Sequence, residues 1–256
     1  MTASVQQKAE ASSIAIGELV GALESLYGGA LRSVVQFGSA VAGETMSGHS
    51  DTNLLIIVDA IPLAALLTKA DAIRKWTAAG NPAPLLLTLD EWRSSSDIFA
   101  MEYADILHRH QVLVGESPFE GIVVKPSDLR LHVERETMGK LLQLRRAIMS
   151  VDSEPSLQLR LLVNGLSTLM VIFRGVARVS GTQPPTDYVR LSAEVGALAG
   201  FDARPFERLV QHARHQVQIP AGDATQVLTG VLSAMERLVA FLDRAGGSAR
   251  SDGRPS

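Results

Sequence analysis

The chain has 256 residues, of which 46% are hydrophobic, and a net charge of −3 at neutral pH. That length allows one large domain or two modest ones, and the nearly neutral charge gives no global signal for nucleic acid or an acidic membrane surface. There is no cysteine, which excludes disulfides, thiolate metal sites and cysteine nucleophiles and suits a reducing cytoplasm, the expected location.

Residues 1–20 lack a basic start followed by an apolar core, so no secretory signal is read there. Ile14, Ile16, Leu19, Val20, Leu23 and Leu26 fall close to helical spacing and predict a helix over 13–27, closed by Gly28-Gly29. "LRSVVQF", 31–37, is short and β-branched and predicts a strand. "NLLIIV", 53–58, is a continuous apolar run, the pattern of a strand covered on both faces. Pro62 opens a helix that Gly80 ends. "PAPLLLTL" predicts a third strand, and "LDEWRSSSDIF" a short helix or loop. "MEYADIL" and "QVLVG" read as two further short strands, and a strand through "LHRHQ" would put His108 and His110 on one face.

The character changes near Pro126. From there the pattern is helical: 127–149, with Ser127 or Asp128 as N-cap, then 156–179, about 186–199, about 203–217 and about 223–244. Gly200 and Asp202 punctuate one gap, Pro220 and Gly222 another. The most apolar run, 161–173, lies between Arg160 and Arg174. It is shorter than the roughly 20 residues a membrane span needs, so it is read as a buried helix. The small, polar residues 245–256 predict a disordered tail. The expected organisation is an α/β (α+β) domain with a mixed sheet over 1–125, a helical bundle over 126–244, and the tail.

The chemistry concentrates in "FGSAVAGETMSGHSDTNLLIIV", 37–58. Phosphoryl and nucleotidyl transfer need a triphosphate neutralised, and two divalent ions about 3.5–4 Å apart do this well. Carboxylates at i and i+2 on a strand share a face and can hold such ions. A Gly-Ser turn after a neighbouring strand offers N–H groups and a hydroxyl to phosphate oxygens. Here Gly38-Ser39 follows one strand, and Ser50-Asp51-Thr52-Asn53 enters the next.

These residues resemble the signature of the polymerase-β-like nucleotidyltransferase superfamily, and among its members the aminoglycoside adenylyltransferases, which carry a helical domain after the catalytic one. The resemblance implies a mixed α/β core, Mg²⁺, a nucleoside triphosphate and an acceptor. It implies a nucleotide site at Gly38, Ser39 and Ser50, a metal ligand at Asp51, and catalytic positions at Asp51 and Asn53. It also implies acidic groups at both of those positions and a third on the strand after the next helix.

The sequence departs from that pattern. Asn53 is an amide, which brings no charge and has a donor end. The next strand carries Leu85, Leu86 and Leu87. Asp90 and Glu91 follow it where helix capping is expected. Asp59 is roughly 20 Å along the strand from Asn53. Glu102 or Asp105 would substitute only if their segment lay beside Asp51. Between Ala40 and Ser50 there is no Lys or Arg, only Glu44 and His49.

The leading expectation is therefore a nucleotidyltransferase-fold protein with Mg²⁺ binding weak or lost, taking a nucleoside triphosphate or another small anion between its domains, without a membrane or nucleic-acid partner. Two other readings stand beside it. One is an active Mg²⁺-dependent enzyme transferring a nucleotide to a small molecule or protein. The other is a non-catalytic interaction module of the toxin–antitoxin kind. Arg208 and His215, with His212 between them, fit loosely the Arg-x4–6-His motif of HEPN-type nucleases, and His212 with His215 could form a metal pair, but a solvated helix face accounts for both patterns. The sequence selects no acceptor, nucleobase or oligomeric state.

Overall fold

The structure is a computed structural model that describes residues 16–38, 41, 52–68, 70–151 and 154–251. Its internal contacts divide the chain into two compact units, Met1–Val124 and Lys125–Ser256.

In the first unit, helix α1 covers 16–27 and ends where Gly28 takes φ +50°. Strand β1, Leu31–Phe37, follows a short 3-10 turn, and β2 is Asn53–Val58. The helix expected after Pro62 is two pieces, α2 Leu63–Thr68 and α3 Ala70–Ala78. Then come β3 Leu85–Thr88, α4 Leu89–Ser94, α5 Ala100–His108 and β4 His110–Gly115.

The sheet is mixed, in the order β3-β2-β1-β4. β1 runs antiparallel to both β2 and β4, and β3 runs parallel to β2. Alternation along β2 sends Leu54, Ile56 and Val58 to one face, against Leu19 and Leu23 of α1 and Trp76 of α3. Leu55 and Ile57 go to the other face, against Trp92 of α4 and Tyr103 and Ile106 of α5. Both faces of β2 are covered, which is why it has no polar alternation. Each such side chain contributes roughly 1.5–3 kcal/mol on burial. At the far end of β4, Gly115 has φ +79° and a Cβ there would meet the Arg32 carbonyl oxygen, so only glycine fits.

The segment "MEYADIL" is helical, not a strand. Tyr103 and Ile106 pack together against Val35, Leu55, Ile57 and Trp92, and Ala100 and Met101 are buried as well. Met101 and Tyr103, two apart, had suggested alternation, but Ile106 three further on belongs to a helical face. His108 is therefore the last residue of α5 and His110 the first of β4, and the two do not share a strand face.

The second unit is helical: α6 Pro126–Val151, α7 Pro155–Val179, α8 Tyr188–Ala199, α9 Arg204–Ala213 and α10 Ala224–Ser251. α6 starts one residue before Ser127, with the Lys125 carbonyl accepting from Asp128 and Leu129, so Ser127 and Asp128 lie in the first turn and are not the N-cap. α7 packs against each of the other four helices. Leu162, Leu166, Leu169, Met170 and Phe173 form its buried side, and Phe173 meets Phe206 and Phe201. α7 continues through Arg174, which is buried. By length and composition alone α7 and the segment Ala221–Ala245 could each cross a membrane, but the apolar side of α7 is spent on its neighbours. α8 is capped at both ends, by the Asp187 side chain accepting from the Arg190 N–H and by Gly200 in the left-handed conformation. α10 extends to Ser251, into the segment whose composition had predicted no ordered structure.

Candidate functional site

The site builds from the end of β1. Phe37 pairs with Asn53 on one side and with His110 on the other, so the start of β2, the end of β1 and the start of β4 meet at one edge of the sheet. Gly38 follows at φ +85°, and its N–H donates to the Arg109 carbonyl at 3.1 Å. The Gly38 carbonyl accepts from the Val41 N–H at 3.3 Å. Gly38 thus makes a tight left-handed turn tied to the end of α5.

β2 begins with a second tie. The N–H of Thr52, itself buried, donates to Asn81 Oδ1 at 3.1 Å, and Asn81 Nδ2 donates to the Trp76 carbonyl at 3.4 Å. Asn53 is next. It has the parity of Leu55 and Ile57, and its side chain turns toward Gly38: a Cβ on Gly38 would lie 3.1 Å from Asn53 Nδ2. Asn53 therefore presents an amide donor to the turn. Ser39, Ser50 and Asp51, the other site residues expected from the sequence, lie outside the described residues.

The strand beside β2 brings no acid. β3 pairs Leu85 with Leu55, Leu86 with Ile56 and Leu87 with Ile57, and Leu86 and Leu87 pack into the two opposite cores. Glu91 is taken by a capping box: its carboxylate accepts from the Thr88 N–H at 2.8 Å while Thr88 Oγ1 accepts from the Glu91 N–H at 3.2 Å. Asp59 sits at the opposite end of β2 in a two-pronged pair with Arg32, at 2.5 and 2.7 Å.

Sequence reasoning named Asp105 and His110 but missed that they flank the end of a helix tied to Gly38. Arg109 is a buried arginine whose N–H donates to the Asp105 carbonyl at 2.9 Å, while its own carbonyl holds Gly38. Asp105 is buried, one turn back on α5. Glu102 is in the first turn of the same helix and exposed. His110 is fixed by its Nδ1–H donating to the Ile106 carbonyl at 2.8 Å and by its ring lying 3.9 Å from that of Phe119. Reading this segment as a strand hid the arrangement; the run Asp105–His110 carried acid, base and guanidinium together, which was the available signal.

In the helical unit, the Arg208–His215 spacing does not lie on one helix. α9 ends at Ala213, and His215 has φ +56° beyond it. Arg208 pairs with Asp223 at 2.5 Å, and His212 Nδ1 accepts from the Ile219 N–H at 3.2 Å. Both are structural contacts that close the turn after α9. Among the described residues no three side chains of the His, Asp or Glu type gather as metal ligands. Asn53 brings an amide and β3 brings leucines to this part of the sheet; Asp51, the expected metal ligand, lies outside the described residues.

No protein-family model matches the chain, and no curated protein sequence matches it. Its fold does match a solved structure, spectinomycin adenyltransferase AAD(9) from Enterococcus faecialis with ATP and spectinomycin, at a TM-score of 0.57 and 15% identity, over 88% of this chain and 98% of that one. The chain has a nucleotidyltransferase fold. The likeness extends through the helical unit, so the order of a mixed-sheet nucleotidyltransferase-like part followed by a helical part is common to both chains.

Proposed function

We propose that this nucleotidyltransferase-fold protein binds a nucleotide or another small anion at the Gly38 turn and no longer transfers nucleotides. The observation that carries the reading is the direction of the Asn53 amide toward Gly38, its Nδ2 lying 3.1 Å from where a Cβ on Gly38 would stand. An N–H donor suits an anion's oxygens and repels a cation. Loss of transfer is supported by Leu85, Leu86 and Leu87 on the strand paired with β2. The fold neighbour was solved with ATP, which makes ATP the first ligand to try. Titration calorimetry of the full chain with ATP, with and without Mg²⁺, should show binding that does not require the metal and that weakens in Ser39→Ala. Incubation with labelled triphosphates should leave no label transferred. Absence of binding at millimolar ATP would overturn this reading in favour of an interaction module.

A second reading has one observation behind it. Asp105 is a buried acid on the helix whose end holds Gly38. If Asp105 and Asp51 together supply the carboxylates, the chain is an active Mg²⁺-dependent transferase. Transfer of label by the wild type and its loss in Asp105→Asn, with folding retained, would favour this second reading.

A further inference from the structure

Lys140 lies midway along α6, and its side chain turns onto α7. A Cβ on Gly165 of α7 would lie 3.8 Å from both Lys140 Cε and Lys140 Nζ. The bare Gly165 thus leaves a notch that takes the end of the lysine. Another arrangement was open to it. Glu136 stands four residues before Lys140, the spacing and order that favour an ion pair along a helix. Glu136 instead faces His132 and Arg135, each at 3.7 Å. Among the described residues no ion pair holds Lys140. α7 supplies no counter-charge, since it carries no Asp or Glu between Arg160 and Arg174. α10, which also packs on α6, brings Glu236, held by Arg145 at 2.7 Å. Its other acid, Asp243, adjoins the Leu242 carbonyl that Arg130 reaches at 2.7 Å, far back along α6.

Lys140 is therefore half-buried with its amine on a helix surface that has no acid. An ammonium there loses water without compensation, and a neutral amine loses much less. Burial accordingly lowers its pKa below the ordinary 10.5. The residue type fits the place. Beyond Lys125, Lys140 is the one lysine of the sequence, among many arginines. A guanidinium keeps its proton, whereas an amine can give it up when buried.

We propose that Lys140 is an acylation site, its Nζ taking an acyl group from a small activated donor of the acyl phosphate class. The lone pair of the free amine attacks the carbonyl carbon of the donor. A C–N bond forms, the C–O bond to phosphate breaks, and inorganic phosphate leaves with that bonding pair. The proton shed by the nitrogen goes to water. The product is a neutral amide, so the reaction removes the charge that the notch disfavours.

The sequence has few lysines to compare: Lys8, Lys69, Lys75, Lys125 and Lys140. Lys75 and Lys125 are exposed and serve as references. The full chain is incubated with acetyl phosphate between about pH 7 and 11, a range that spans the titration of ordinary lysines. Mass spectrometry after digestion then reads acetylation at each lysine, for the folded chain and for the chain in urea. Near neutral pH, Lys140 of the folded chain should acetylate several-fold faster than Lys75 and Lys125. Its rate should reach half its maximum at a lower pH than in urea. Gly165→Leu fills the notch and turns the amine out to water, so the advantage should vanish while circular dichroism shows the helices retained. If that variant does not fold, the comparison of folded and urea-treated wild type still decides. Lys140 acetylating no faster than the two references, or with the same pH midpoint in the folded chain as in urea, would overturn the proposal.

Discussion

The Asn53 side chain lies against Gly38, its Nδ2 being 3.1 Å from where a Cβ on Gly38 would stand. Replacing Asn53 by Asp puts a carboxylate two residues from Asp51 in sequence and removes a donor from the turn. Without a cation the two like charges repel, and the folded state should lose a little stability. Mg²⁺ or Mn²⁺ bound only to the folded form should restore it by mass action. Thermal melts with and without millimolar metal should rise in Asn53→Asp and not in the wild type. An equal rise in both would refute the loss of metal binding in the wild type.

Gly38 itself should resist substitution. At φ +85° an L-residue is strained by about 1–2 kcal/mol, and the new Cβ also crowds Asn53. Gly38→Ala should cost about 1–3 kcal/mol in urea unfolding. Adding Asn53→Ala should recover the part due to crowding and leave the backbone part, a coupling that a double-mutant cycle measures.

Tyr103 sets an alkaline limit. Its ring stacks on Trp92 at 4.1 Å, its hydroxyl donates to the Trp92 carbonyl at 2.8 Å, and burial pushes its pKa up to about 12 from the ordinary 10.0. Between those values the unfolded chain gives up the phenolic proton and the folded chain keeps it. Stability is therefore fully present below about pH 10 and falls as pH rises toward about 12. Tyr103→Phe should flatten that fall while costing about 1 kcal/mol at neutral pH for the lost hydrogen bond. Denaturant midpoints across the alkaline range test both parts.

Leu162 and Leu169 are 2% and 3% exposed on α7. Aspartate at either position buries a charge without a partner and should cost about 4 kcal/mol or more. Circular dichroism melts that match the wild type for both variants would remove α7 from the core.

The strands 31–37 and 53–58 were legible because β-branched and apolar runs in them are long and bounded by glycine and small residues, and the long helices because their periodicity persists over several turns. "MEYADIL" was not, because seven residues sample too little of a 3.6-residue period to exclude alternation, and the packing of Tyr103 on Trp92 decides the matter from outside the segment. Of the site, the sequence displayed the amide at Asn53 and the leucines of β3. It could not display that the Asn53 amide turns to Gly38 or that α5 delivers Arg109 to the same corner, since both depend on strand pairing between distant residues. Glu91 was read as a cap and is one, since the Thr88-x-x-Glu91 pattern is local.

The two ties at the sheet edge have a consequence for how the molecule can change. Gly38 is fastened to Arg109 on one side, and Thr52 to Asn81 on the other. The chain between them starts and finishes at points set by the rest of the sheet. Lengthening such a segment costs little, since closure entropy grows only with the logarithm of length. The sheet is a socket with two fixed terminals. A different 39–51 segment, borrowed from another chain of this fold, could be spliced between them, and chemistry could be gained or lost there while the strands beneath stay as they are.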